Sequence, residues 1–327
     1  MSFGPLVRLT APANLLLLGE YAVTEPGGLG IWLAPNIRAT AELWPTTNQS
    51  SHITCRLLQS ESTFALDAVM PPIDSNDPNA LAKLVYLQFQ AWLITTKLRP
   101  IPKPFQLIVD TRAFFGPDGQ KLGYGSSAVA SLLISAALVE AHLGDLPFAV
   151  QNAWRSEVPY LAIQAQRAFQ GGHGSGYDVA ASWLGGCGWF VGGPRPYFER
   201  FTAAWPFGVQ LFQGVDLVKT SGAIEKFSRW KESHPEDFAN FMQRSKAIAE
   251  NFRAASFGDF HTVLGYFEAS RLLGLELGAA ITVPAAMAVP QTKALGAGHE
   301  LGAQLVAKTN TTTVVPAEHG LRIEQAP

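Results

Sequence analysis

The sequence predicts a two-domain protein of mixed α and β structure. Three observations carry that prediction. The chain has 327 residues, about twice the usual domain size. Short apolar runs of strand length recur in its first half and again near its end. Longer runs at helical spacing, rich in Ala and Leu, separate them. With 47% hydrophobic and 15% charged residues, the chain can bury a sizeable core, which excludes a disordered polymer.

In order, residues 6–23 read as strand-like runs broken at Ala13-Asn14 and Gly19-Glu20, and strand character resumes over 29–45. Segments 53–58 and 64–69 read as a polar-rich hairpin, and Pro71 to Asn79 as a loop. A helix is predicted over 79–97, a strand over 105–109, and helices over 127–143, 147–156 and 158–169. A glycine cluster at 171–176 precedes an Ala-rich helical start, and 188–191 is a strand. Gly192 to Pro196 punctuates strongly, so the domains are drawn at 1–203 and 204–327. The second half is predicted to hold a strand at 208–212, helices at 221–231, 235–254 and 257–274, and strands near 302–307 and 311–315.

The net charge is −2, from 24 basic and 26 acidic residues, so an anionic ligand must be held by a local site. Nucleic acid and a polybasic membrane surface are not expected partners. Two distant cysteines, Cys55 and Cys187, give no metal spacing and indicate a reducing cytoplasm. The N-terminus lacks the pattern of a signal peptide, and the apolar run 129–139 is expected to be a core helix.

Chemistry concentrates in three segments. In 121–131, Lys-Leu-Gly-Tyr-Gly-Ser-Ser-Ala-Val-Ala-Ser, two glycines and two serines open an apolar helix. Unpaired N–H groups and a partial positive charge at a helix start attract phosphate, and glycines let the backbone close around it. Such a loop also serves simply as a turn with a serine cap. In 172–182, Gly-His-Gly-Ser-Gly-Tyr-Asp-Val-Ala-Ala-Ser, Asp178 follows a glycine turn; it reads as a helix cap or as a general base. In 11–28, Glu20 follows Gly19 at a strand end, a strand-to-turn junction or a polar group in a pocket.

Together, in their order along the chain, the segments resemble the GHMP kinases, named for galactose, homoserine, mevalonate and phosphomevalonate. A candidate for the family's C-terminal glycine motif is Lys293-Ala294-Leu295-Gly296-Ala297-Gly298-His299-Glu300-Leu301-Gly302. Within the superfamily, Gly19-Glu20-Tyr21-Ala22-Val23, Gly174-Ser175-Gly176-Tyr177-Asp178, Phe114-Phe115 with Asp118-Gly119, and Lys219-Thr220-Ser221 are most similar to the phosphomevalonate branch. The resemblance implies an α+β fold of two domains, the first like ribosomal protein S5 domain 2 and the second ferredoxin-like. It implies ATP and Mg²⁺ as cofactors, a phosphorylated or hydroxyl small-molecule acceptor, and a monomer or homodimer.

By the same resemblance, Gly123, Tyr124, Gly125, Ser126, Ser127 and Ala128 hold ATP, with Ser126 and Glu20 on the metal. Asp178 and Lys121 are catalytic. The acceptor lies against Glu20, Tyr21, His173, Ser175, Gly176, Lys219, Thr220, Gly296, Ala297 and Gly298. Arg167 and Lys293 are further candidates to offset phosphate charge. The sequence departs from the family pattern at Asn14, where a lysine is usual, and at His299-Glu300, where glycines are usual. It also has no carboxylate in Gln164-Ala165-Gln166-Arg167-Ala168, where mevalonate kinases carry a metal-binding Glu. A mevalonate or other small-alcohol kinase, and a ligand-binding member without catalysis, are the alternatives.

Overall fold

The computed structural model describes residues 4–57, 60–66, 73–74, 77–97, 103–144, 146–202, 205–214, 220–296, 301–307 and 313–325. Through these the chain runs β1 (Val7–Pro12), β2 (Leu15–Leu18), β3 (Leu29–Leu33), β4 (Arg38–Pro45), β5 (His52–Leu57), β6 (Ser60–Ala65), α1 (Ala80–Thr96) and β7 (Phe105–Asp110). There follow α2 (Ser126–Leu143), α3 (Phe148–Phe169), α4 (Tyr177–Leu184), β8 (Cys187–Val191), β9 (Tyr197–Arg200) and β10 (Phe207–Gln213). The last elements are α5 (Thr220–Ser233), α6 (Pro235–Ala255), α7 (Phe260–Ala280), β11 (Lys293–Leu295), β12 (Leu301–Ala307) and β13 (Arg322–Gln325).

These elements form two compact units, neither continuous in sequence. The first comprises Met1–Ala13, Ile37–Leu184 and His319–Pro327; the second comprises Asn14–Asn36 and Gly185–Glu318. The cut drawn after residue 203 therefore differs from the observed division. The reason is strand pairing: β2 and β3 join β8 and β9 in a four-stranded antiparallel sheet, which takes residues 14–36 and 185–203 into the second unit.

In the first unit, a six-stranded sheet has the order β13-β1-β4-β7-β5-β6, antiparallel except for the parallel β5–β7 pair. Burial alternates along β1, β4 and β7, so one face of the sheet carries the core. Helix α2 packs on these strands and against α1, α3 and α4. Its 18 residues have a mean hydropathy of 1.5, enough in length and composition to cross a membrane, which the run 129–139 alone did not indicate. Since 78% of them are buried inside the fold, α2 is the expected core helix. Its acidic residue Glu140 is paired with Arg155 of α3 at 2.6 Å.

Helix α3 is one helix and not the two expected. It continues through the buried Pro159. An interior proline costs about 3 kcal/mol; here packing on α1 and α2 holds the helix together regardless.

The second unit contains the four-stranded sheet β2-β3-β8-β9, a three-stranded sheet β10-β12-β11, and helices α5 to α7. Strands β2 and β3 are buried along their whole length, which explains their unalternating apolar sequence. Phe227, Phe241, Leu273 and Leu277 build a core against Tyr21 and Ala22. The short strands β9 and β11 were not anticipated. The final strand is β13, not 311–315; residues 313–315 are not in a strand, and 311–312 lie outside the described residues.

Candidate active site

The first unit positions the loop and Asp178 through the same helix. The segment 115–121 makes a tight turn: Lys121 bridges Phe115, and Gly116 N–H donates to the Gln120 carbonyl at 2.8 Å. Lys121 is exposed at its end. The chain then bends through Gly123 and Gly125, both at φ 74°. This left-handed conformation favours glycine. Gly125, not a serine, occupies the cap of α2, and a glycine has no side chain with which to cap it. Ser126, Ser127 and Ala128 form its first turn. The serine-cap alternative is thereby excluded. Burial pushes the Tyr124 phenol above its ordinary range.

Residues Gln166 and Arg167, adjacent near the end of α3, reach the two motifs separately. Gln166 Nε2 donates to Ser127 Oγ at 3.0 Å, and its Oε1 accepts from Ser131 Oγ at 3.2 Å. Arg167 Nε donates to the Gly174 carbonyl at 2.8 Å and Nη2 to the Ser175 carbonyl at 2.9 Å. The glycine turn before Asp178 is thus held by the partly buried Arg167 through its guanidinium. Burial pulls Arg167 below its ordinary range, and the Asp178 charge opposes that shift.

Asp178 is the second residue of α4 and not its cap. Its Oδ1 accepts from the Val179 N–H at 2.9 Å. The side chain is half-buried at the surface but closely surrounded by protein. Desolvation raises its pKa from 3.8 to about 6, against the pull of the Val179 hydrogen bond and Arg167. That value lies near neutrality, where a general base works best. Ser175 Oγ accepts from the Tyr177 N–H at 3.4 Å, and His173 is exposed.

Gly176 is buried at φ 92°, and a Cβ there meets Ile163 side-chain atoms at 2.8 Å. Gly176→Ala is expected to cost about 1–3 kcal/mol from strain and overlap. It should also displace the Asp178 carboxyl. Denaturant melts check the loss; an Ala variant of unchanged stability contradicts it.

The second unit holds the other candidates. Glu20 and Lys293 form an ion pair with Lys293 only 3% exposed. Burial pushes Glu20 up and Lys293 down, and their mutual attraction opposes both shifts. They line a cavity of about 30 Å³ with Gly19, Tyr21, Ser245, Ser270 and Gly296, room for about one or two waters. Tyr21 adopts φ 63° and its ring packs on Phe227 at 5.2 Å. Its buried hydroxyl makes no hydrogen bond among the described residues. Burial, with the Glu20 charge, pushes the phenol up.

The metal candidates Ser126 and Glu20 thus lie in different units, and Glu20 faces an ammonium. Asn14 is buried beside the start of β2. Lys219, Ala297, Gly298, His299, Glu300 and the side chain of Thr220 lie outside the described residues. Gln166 was not singled out from the sequence as a contributor. The signal was present: it sits four residues from Ala162 and eight from Val158 on the buried face of α3, where an uncharged polar residue stands out.

This architecture is that of a class. The chain has the GHMP kinase fold. No family model matches the chain. It is similar to a phosphomevalonate kinase of Saccharolobus solfataricus, 27% identical over 242 residues, 73% of this chain. The match spans 66% of that relative, just under two thirds of its length. Among solved structures, the Lin0012 protein of Listeria innocua matches at TM-score 0.81 and 17% identity, covering 98% of this chain and 99% of that one. Streptococcus pneumoniae phosphomevalonate kinase, in complex with phosphomevalonate and AMPPNP, matches at TM-score 0.70 and 17% identity, covering 92% of each chain. Mevalonate kinase and galactokinase structures share the fold at TM-scores of 0.64.

Proposed function

We propose that the protein is an ATP-dependent kinase of small molecules whose acceptor is phosphomevalonate. One observation carries the reading: a helix start preceded by two left-handed glycines is tied through adjacent residues of α3 to the turn that presents Asp178. The sequence similarity to a phosphomevalonate kinase supports the choice of acceptor. The α2 N-terminus binds the nucleotide phosphates, and Asp178 orients the acceptor oxygen or takes its proton.

The donor set suits Mg²⁺, a hard ion that takes one or two protein oxygens and completes its shell with phosphate and water. Ser126, in the first turn of α2, and Asp178 carry such oxygens. Among the described residues there is no cluster of three His, Cys, Asp or Glu side chains that would hold a metal by itself. When bound, the ion neutralises charge on the phosphates.

A second reading, an unphosphorylated alcohol as acceptor, is favoured by two details. Lys293 is already engaged by Glu20, and Asp178 near 6 is suited to deprotonating a hydroxyl. ADP release measured with phosphomevalonate, mevalonate, galactose and homoserine distinguishes them. Phosphomevalonate is expected to give the highest kcat/KM by at least about tenfold, the worth of one charge-assisted contact. Preference for mevalonate overturns the acceptor assignment, and ATP binding without any turnover overturns the activity.

A further inference from the structure

Gln166 is buried on the apolar face of α3 and is 1% exposed. Its amide spans Ser127 and Ser131, one turn apart on α2. A serine hydroxyl has one proton and two lone pairs. At Ser127, the Gln166 N–H occupies a lone pair, so the hydroxyl proton remains to be donated elsewhere. The Ser131 hydroxyl donates to Oε1 at the other end of the amide. A carboxylate at the same place would act oppositely. It only accepts, so it would draw the Ser127 proton toward itself and add negative charge beside the loop.

We propose that Gln166 is a positioning residue that presents the Ser127 hydroxyl as a hydrogen-bond donor to a phosphate oxygen, leaving metal ligation within the loop to Ser126. This inference rests on reading residues 123–128 as the nucleotide-phosphate site.

Calorimetric titration of ATP without magnesium, then with it, tests the proposal on the wild type, Gln166→Glu, Ser127→Ala and the double variant. Gln166→Glu is expected to weaken magnesium-free binding by about tenfold or more, since hydrogen bonds to charged groups are the strong ones. In the Ser127→Ala background most of that loss should disappear, because the residue acts through that hydroxyl. A merely structural role would give the same loss in both backgrounds. Thermal melts confirm folding. Should Gln166→Glu fail to fold, Gln166→Asn, whose shorter amide cannot span both serines, carries the same cycle with an expected loss of about threefold or more. Wild-type ATP binding with a folded Gln166 variant within twofold of it overturns this inference alone. No ATP binding by the wild type overturns the kinase reading and this inference with it.

Discussion

Asp178→Asn is expected to reduce turnover by about 10²–10⁴-fold, the usual contribution of a positioned acid–base group, while making the protein more stable above pH 6. The two effects have one cause. The carboxyl at the start of α4 is desolvated, which raises its pKa from 3.8 to about 6. A carboxyl raised on folding favours the folded state while it is protonated. Its stabilising proton is fully present below about pH 3.8 and is lost as pH rises through about 6. Above that pH the ionised group costs stability, at most about 3 kcal/mol, and about half that once solvent screening of the half-exposed side chain is allowed for. Asparagine removes the charge and keeps an oxygen for the Val179 N–H. Denaturant unfolding should show the variant more stable at pH 7.5 and the gap closing by pH 4. In the wild type, kcat/KM should rise through about pH 6 as the carboxylate forms. An Asn variant that is fully active removes Asp178 from the chemistry, and one less stable at pH 7.5 overturns the desolvated carboxylate.

The glycine turn before α2 and the turn before Asp178 were legible in the sequence because both are local. Left-handed glycines, hydroxyls and a helix start are written in consecutive residues, and Gly123 and Gly125 adopt the conformations expected of them. Helix α2 was legible because a helix buried nearly all round is apolar all round. What joins the motifs was not legible. Arg167 read as one cation among several, and only the folded chain brings its guanidinium to the Gly174 and Ser175 carbonyls. The interleaved units escaped for a similar reason. Pairing of β3 with β8 links residues some 160 apart, and no local signal records a long-range register. The sequence pointed to Glu20 as a metal ligand and Lys293 as a counter-charge, but their pairing with each other depends on the second unit's tertiary fold.

That pairing gives the largest expected change in stability. Lys293→Met should cost about 3–5 kcal/mol, because removing one partner leaves the other as an uncompensated buried charge. Glu20 is desolvated, and in the wild type the ammonium offsets part of that cost. Without Lys293, Glu20 is pushed further up and the sign of the pH dependence follows. Its protonated form carries no penalty, so the deficit is small near the ordinary 4.5 and grows as pH rises through the raised pKa. Glu20→Leu combined with Lys293→Met should recover most of the loss, since an apolar pair of similar volume is often neutral or better. Urea unfolding of both single variants and the double variant across pH 4.5–8 measures all three effects. A Lys293→Met deficit that stays below about 1 kcal/mol, or does not shrink at low pH, would show that the pair is solvated like a surface bridge. The pairing also bears on substrate charge. An ammonium neutralised by Glu20 offers little net attraction to an anionic acceptor. The proposed phosphorylated acceptor would then need cations from elsewhere, with the exposed Lys121 the first to test.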